Sequence, residues 1–416
     1  MPDITTGDSM EPGMTLWSQS DAISMIRSDK LKAISGKAGS DISVTAKCSA
    51  AATPEPLSPA GPLEHTDETP SPKSTEADEA AEFHQICHQG WAWSWANLRV
   101  KIYRFTILII KQVYLIFMTL SLPTNHLMLT FRTLPRDFDE PHHNADHLAA
   151  KFRNAIMPAR GKLHDQRSRL IKINRWFLEM PFLGIPGIVR FIDVRTQWFD
   201  EAMEQAFDDG IQQVVVIAAG YDTRAYRLSR PGVKFYEIDL PHASKNKQEL
   251  VRSLLPADKY PRPEFVAADL SKVKLADALA ATSFDPTKTT LFTAEGLLYY
   301  LPPAAVQQLL TCVSTISAPG SRVMFDFLNL STLSGEVWNP GFETLMLSVW
   351  NKGEVMYSGI DERPEAVEKL LRLFGFHTHE VLSARDMVKR YMPHVQWGTH
   401  PPTVSPYFSY VCGEKL

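Results

Sequence analysis

Apolar and polar positions follow three different patterns along this chain. Up to about residue 80 no period is visible. Ala50–Pro62 and Thr66–Asp78 are runs of Pro, Ser, Thr and acid. Such composition cannot bury enough apolar surface to offset chain entropy, so residues 1–80 are expected to be a disordered tail. No apolar core follows the first Met, and Asp3, Asp8, Glu11 and Asp21 place acid where transit peptides avoid it. Neither kind of leader is therefore expected. The second pattern is an apolar segment over 91–122, centred on 105–122. As a helix its centre would be about 27 Å long, close to the roughly 30 Å of a hydrocarbon core. Lys111 and Gln112 interrupt it, and a central Lys costs on the order of 3 kcal/mol on insertion. Two readings stay open: a helix that spans or lies on a membrane, and a helix docked on the domain with Lys111 reaching out to water.

The third pattern begins near Pro141 and runs to the C-terminus. Residues 144–210 interleave charged and apolar positions with helical spacing. Short β-branched runs then alternate with helical stretches. Gln213–Ala219, Lys234–Ile238, Glu264–Ala268, Thr290–Ala294 and Arg322–Phe327 read as buried strands. Helices are expected from Pro303 toward Ser317 and over Pro364–Leu373, with two last strands over His377–Leu382 and Tyr407–Cys412. This alternation predicts an α/β fold with a parallel, doubly wound sheet under an N-terminal helical cap, occupying 141–416.

Composition narrows the class. Against 43 Lys and Arg stand 47 Asp and Glu, a net charge of −4, so a nucleic-acid partner is not expected. Hydrophobic residues make up 44%, as in an ordinary globular protein. The four cysteines form no C-x-x-C pair, which fits a reducing compartment, the cytoplasm or a membrane facing it.

In an open parallel sheet, ligands bind beyond the carboxyl ends of the strands. Here each of the first four strands delivers a small or acidic residue to that edge: Ala218-Ala219-Gly220, then Asp239, Asp269-Leu270 and Glu295-Gly296. Gly220 lets a backbone pass close to a ligand, and Asp222 or Thr223 can cap the following helix. Asp239 follows Gly220 at the spacing of an acid that binds a ribose diol. No glycine-rich phosphate loop is present. An acidic edge without a phosphate cradle suits a nucleoside that carries no phosphate, such as S-adenosyl-L-methionine.

Val214–Leu228, Phe235–Pro241 with Lys247, Ala294–Pro302 and Val194–Asp200 resemble the leucine carboxyl methyltransferase-like family of S-adenosyl-L-methionine-dependent methyltransferases. The resemblance covers roughly 145–330. It implies a seven-stranded Rossmann-like methyltransferase sheet. It also implies that Arg195 pairs with the carboxylate of the cofactor, the Ala218–Gly220 turn approaches its methionine part, and Asp239 holds its ribose. Asp269 and Leu270 would contact its adenine, and Glu295 would reach its amino group or the adjoining site. The family usually has Gly-Ala-Gly at the turn. Ala218 departs from that, which Ala tolerates where φ is negative. A basic residue from an N-terminal helix is also implied, with Lys151, Arg153 and Lys162 as candidates.

Methyl transfer from a sulfonium mainly needs alignment, and only a hydroxyl acceptor needs a base. Tyr299 and Tyr300 are the nearest polar candidates for that role. His142, His143 and His147 cluster without a companion acid, and no metal is expected. The expected function is O-methylation of a carboxyl or hydroxyl oxygen on a small, lipophilic metabolite. The alternatives are a protein C-terminal leucine carboxylate as acceptor, and a silent cofactor-binding module.

Overall fold

β1 (Gln213–Ile217) is buried along its whole length, because its two faces enter two separate cores. Val214 and Val216 pack with Phe152, Trp198 and Phe199 on one side of the sheet. Val215 and Ile217 pack with Leu279, Leu310 and Val313 on the other. Side chains alternate faces along a strand, and helices on both sides explain the unbroken apolar run.

This computed structural model describes residue 102, residues 105–114, 122–399 and 401–416. The expected tail over 1–80 and residues 91–101, 103, 104 and 115–121 of the apolar segment lie outside them. The chain divides into two units, Met1–Ile109 and Ile110–Leu416. In the first, residues 105–109 are helical and Thr106 donates to the Ile102 carbonyl at 2.9 Å.

The second unit holds a seven-stranded sheet in the order β3-β2-β1-β4-β5-β7-β6. The remaining strands are β2 (Lys234–Asp239), β3 (Glu264–Ala267), β4 (Thr290–Ala294), β5 (Arg322–Leu328), β6 (Phe376–Ser383) and β7 (Phe408–Lys415). The first five run parallel. β7 is antiparallel to both β5 and β6, so the expected seven-stranded doubly wound sheet is parallel over its first five strands and mixed at one edge. The reason lies in the connection. Ser383 at the end of β6 stands opposite Ser409 at the start of β7, so the intervening segment leaves and re-enters at one sheet edge and the strand must run back.

Helices Thr124–Asp137, His147–Ile156, Pro158–Asp165, Arg169–Leu178 and Ile188–Asp208 precede the sheet. The first of these starts well before residue 141, where the sequence pattern placed the domain edge. Lys111 does not reach into water. It is buried, and its Nζ lies 2.8 Å from Glu343 on the Phe342–Trp350 helix. Asn351 donates to Gln112 at 2.9 Å, and the Tyr114 hydroxyl donates to the Phe177 carbonyl. Among the described residues no helix is long and apolar enough to cross a membrane, so the spanning alternative has no support there.

Candidate functional site

The sheet reverses its winding between β1 and β4, and the loops that leave these two strands diverge there. A cavity of about 260 Å³ opens at that point. Its floor is the turn Ala218–Asp222 and the pair Glu295-Gly296, and its far wall is the helix Thr124–Asp137. Thr124, Asn125, Met128, Leu129 and Arg132 face it, one stripe of that helix at the spacing of successive turns. Arg195, Tyr299, Tyr300 and Glu354 complete the lining.

The turn after β1 is unusual. Ala218 has φ +54° and Gly220 has φ +44°. The requirement of a negative φ at Ala218 is therefore not met, and an L-residue sits in the left-handed region. Such a position costs on the order of 1 kcal/mol and persists only where its surroundings impose it. The Ala219 amide donates to the Ile238 carbonyl at 3.0 Å and the Asp222 amide to the Ala219 carbonyl at 2.8 Å, which hold the turn in this shape. A Cβ at Gly220 would meet nothing nearer than the Ala218 carbonyl oxygen at 3.9 Å, so the space over the turn is open.

Arg195 comes from the buried face of the Ile188–Asp208 helix and is only 4% exposed. Its Nη1 donates to Asp326 at 3.1 Å and to the Tyr299 hydroxyl at 3.4 Å, and its Nε lies 3.0 Å from Glu295. Its Nη2 has no acceptor among the described residues. Burial alone would lower its pKa, but Asp326 and Glu295 reverse that and keep it charged.

Glu295 is a hub. Its Oε2 accepts from Arg224 Nη1 at 2.6 Å, and Arg132 Nη2 lies 3.7 Å from its Oε1. Burial pushes its carboxyl up, yet Arg224, Arg195 and Arg132 together hold it down at about 2. Arg224 also binds Asp222 at 2.6 Å and Asp200 at 2.7 Å, tying both strand-end loops to the long helix. The N-cap of the short helix Arg224–Arg227 is Thr223, which makes no side-chain cap bond, while Asp222 just before it accepts the Arg224 amide at 2.6 Å.

Of the residues singled out in the sequence, Arg195, Ala218, Gly220, Glu295, Tyr299 and Tyr300 share this cavity. Asp239, Asp269 and Leu270 do not line it, though they follow along the same sheet edge. Asp239 Oδ2 accepts the Gly220 amide at 2.6 Å, and its carbonyl accepts the Ala268 amide at 2.9 Å. Asp269 is engaged by Lys272 at 2.8 Å and by Ser271 at 2.6 Å, which bring its carboxyl down to about 2. Lys151, Arg153 and Lys162 lie elsewhere. Lys151 sits over the Tyr260 ring, Lys162 is exposed, and Arg153 is buried against Asp137 and Thr133. The basic residue that reaches the cavity is Arg132. Asp146, the N-cap of the His147–Ile156 helix, holds its Nη1 at 3.3 Å. Arg132 Nε is buried with no hydrogen-bond partner.

Asp326 and Glu354 were also not singled out. An acid inside the apolar run Met324–Phe327 was the available signal for Asp326. Nothing in its local sequence marks Glu354. Both tyrosines are poor bases: burial raises the pKa of each phenol, and Asp326 beside Tyr299 and Glu354 beside Tyr300 raise it further. His142 stacks on His394 at 5.2 Å, and His143 Nδ1 lies 2.9 Å from the Asn144 carbonyl. Among the described residues no group of three His, Cys, Asp or Glu side chains is placed to hold a metal.

Comparison with known proteins gives a consistent picture. Residues 134–314 match the family described as leucine carboxyl methyltransferase. A protein of Mycolicibacterium vanbaalenii named "putative S-adenosyl-L-methionine-dependent methyltransferase" is 39% identical over 216 residues, 50% of this chain and 69% of that one. A protein of the same name from Mycobacterium avium is 47% identical over 184 residues, 44% of this chain and 51% of that one. A crystal structure from Thermobifida fusca, titled a methyltransferase of the same provisional kind, aligns with TM-score 0.41 and 19% identity over 56% of this chain and 84% of that one.

Proposed function

Given that the chain belongs to the leucine carboxyl methyltransferase-like family of S-adenosyl-L-methionine-dependent methyltransferases, we propose that it methylates a carboxyl or hydroxyl oxygen of a small, lipophilic metabolite. The observation that carries this reading is the cavity at the β1/β4 divergence, with two arginines in its lining and an open backbone turn as its floor.

The residues fit the cofactor on three counts. Arg132 Nε and Arg195 Nε are buried without a hydrogen-bond partner, both side chains line one cavity, and the two guanidinium groups suit a carboxylate. The open space above Gly220 admits a ligand against the backbone. Asp239 keeps lone pairs for a diol while it accepts the Gly220 and Leu240 amides. When bound, the cofactor supplies an electrophilic methyl group whose leaving group is a neutral thioether. The chain's own part is to hold and orient. The arginines fix one end, the turn sets the approach, and the stripe from Thr124 to Arg132 closes the cavity against water. Met128, Leu129 and Tyr300 give the remaining wall an apolar character that favours a lipophilic acceptor.

Titration calorimetry of the full chain with S-adenosylmethionine and S-adenosylhomocysteine tests this reading. Binding of both at one shared site is expected. Absence of heat with either ligand leaves the methyltransferase reading without its cofactor. Transferred radiolabel that partitions with protein rather than with organic-extractable product would point instead to a protein carboxylate as acceptor.

A further inference from the structure

Three carboxylates line the cavity: Asp222, Glu295 and Glu354. Two are occupied. Asp222 accepts from Arg224 at 2.6 Å, and Glu295 is held by Arg224 at 2.6 Å and Arg195 at 3.0 Å. Glu354 makes no ion pair and no side-chain hydrogen bond among the described residues. Only its backbone is fixed, the amide donating to the Val349 carbonyl at 3.0 Å. The cations show the reverse. Arg132 is paired with Asp146 and Glu295, and Arg195 with Glu295 and Asp326. Their remaining donors suit the carboxylate of the cofactor, so none is left over for a second anion.

An ionised carboxylate acceptor would therefore meet Glu354, whose charge is offset only by Lys352 outside the lining, and no free cation in the cavity wall itself, an arrangement that disfavours it. A hydroxyl acceptor has a proton to lose and meets a carboxylate free to take it. We propose that the acceptor is an alcohol or phenol rather than a carboxylate, and that Glu354 is the group that takes its proton. This rests on the methyl-transfer reading above and narrows it. As the acceptor oxygen bonds to the methyl carbon, the carbon–sulfur bond breaks with its electron pair going to sulfur. The hydroxyl proton passes to the Glu354 carboxylate. A methyl ether, a neutral thioether and a protonated glutamate result, and a proton released to water restores the carboxylate.

The test uses the full chain, methyl-tritiated S-adenosylmethionine and an organic extract of cells that carry the gene. Mild alkali hydrolyses methyl esters to volatile methanol and leaves methyl ethers intact. Non-volatile, uncharged labelled product is expected. Glu354→Gln should lower its rate of formation roughly 10²- to 10⁴-fold, the usual range for a proton acceptor, with S-adenosylhomocysteine affinity unchanged. Volatile counts after alkali overturn the hydroxyl assignment, as do counts retained on a cation exchanger, which would mark an amine. An unimpaired rate in Glu354→Gln overturns the role of that residue. S-Adenosylhomocysteine binding in the same preparation separates the two readings. If it binds and no labelled product forms, the acceptor assignment fails; if it does not bind, the methyltransferase reading itself fails.

Discussion

Asp239 and Gly220 are 19 residues apart in the chain, and the Asp239 carboxylate accepts the Gly220 amide at 2.6 Å. The end of β2 thus shapes the turn that follows β1, and the same acid is the one proposed to hold the ribose. Asp239→Ala should weaken S-adenosylhomocysteine binding about tenfold or more and lower stability by about 1–3 kcal/mol, because the Gly220 amide loses its acceptor. Calorimetry and urea unfolding read the two effects separately. Affinity equal to that of the wild type would remove Asp239 from the site.

Ala218→Gly is expected to stabilise the chain. The alanine holds φ at +54°, where a Cβ costs about 1–2 kcal/mol, and glycine returns part of that gain through the greater freedom of its unfolded state. A net gain of about 0.5–1 kcal/mol in urea unfolding is expected, with cofactor affinity equal or improved as the methyl group leaves the cavity wall. A loss of stability would show that the Ala218 methyl makes a contact worth more than the strain.

Removing Arg195 should harm fold and binding together. Its guanidinium neutralises Asp326, which is fully buried, and Glu295. Taking away one partner of a buried pair typically costs about 3–5 kcal/mol. Arg195→Met should therefore unfold at markedly lower urea, whereas Arg195→Lys should recover most of the stability and still bind the cofactor weakly, since an ammonium cannot reproduce the fork. Equal cofactor affinity in Arg195→Lys and wild type would limit Arg195 to a structural role.

The strands of the central sheet could be read directly because β1 and its neighbours are covered on both faces. Burial on both sides produces unbroken runs such as Val214-Val215-Val216, and the residue types change where each strand leaves the sheet. The direction of β7 could not be read, since period and composition are the same for a strand run either way, and the pairing of Leu328 with Phe408 sets it. Arg132 was missed because its helix lies outside the family motifs and before the expected domain edge. What brings it to the cavity is Asp146, a local cap whose second oxygen reaches across to another helix. Asp326 meets Arg195 across 131 residues, a relation no local spacing records. The sign of φ at Ala218 comes from the turn that Ile238 and Asp222 impose, and the side chain itself carries no mark of it.

The charge on Glu295 gives the fold a defined acid limit. Burial opposes ionisation, but Arg224, Arg195 and Arg132 bring the carboxyl down to about 2 in the folded state, below its ordinary value of 4.5. A folded-state value below the unfolded one means that the unfolded chain binds the extra proton first. The stabilisation is therefore complete above about 4.5, and it is lost progressively as pH falls toward 2. The Glu295 contribution, read as the difference in urea midpoint between wild type and Glu295→Gln from pH 7 down to pH 2.5, should stay level until near 4.5 and then decline. In Glu295→Gln the neutral side chain leaves three arginines short of a counter-charge, so the variant should be less stable at neutral pH and the difference from wild type should narrow on acidification. A constant difference across that range would show that Glu295 is not the ionised partner of these arginines.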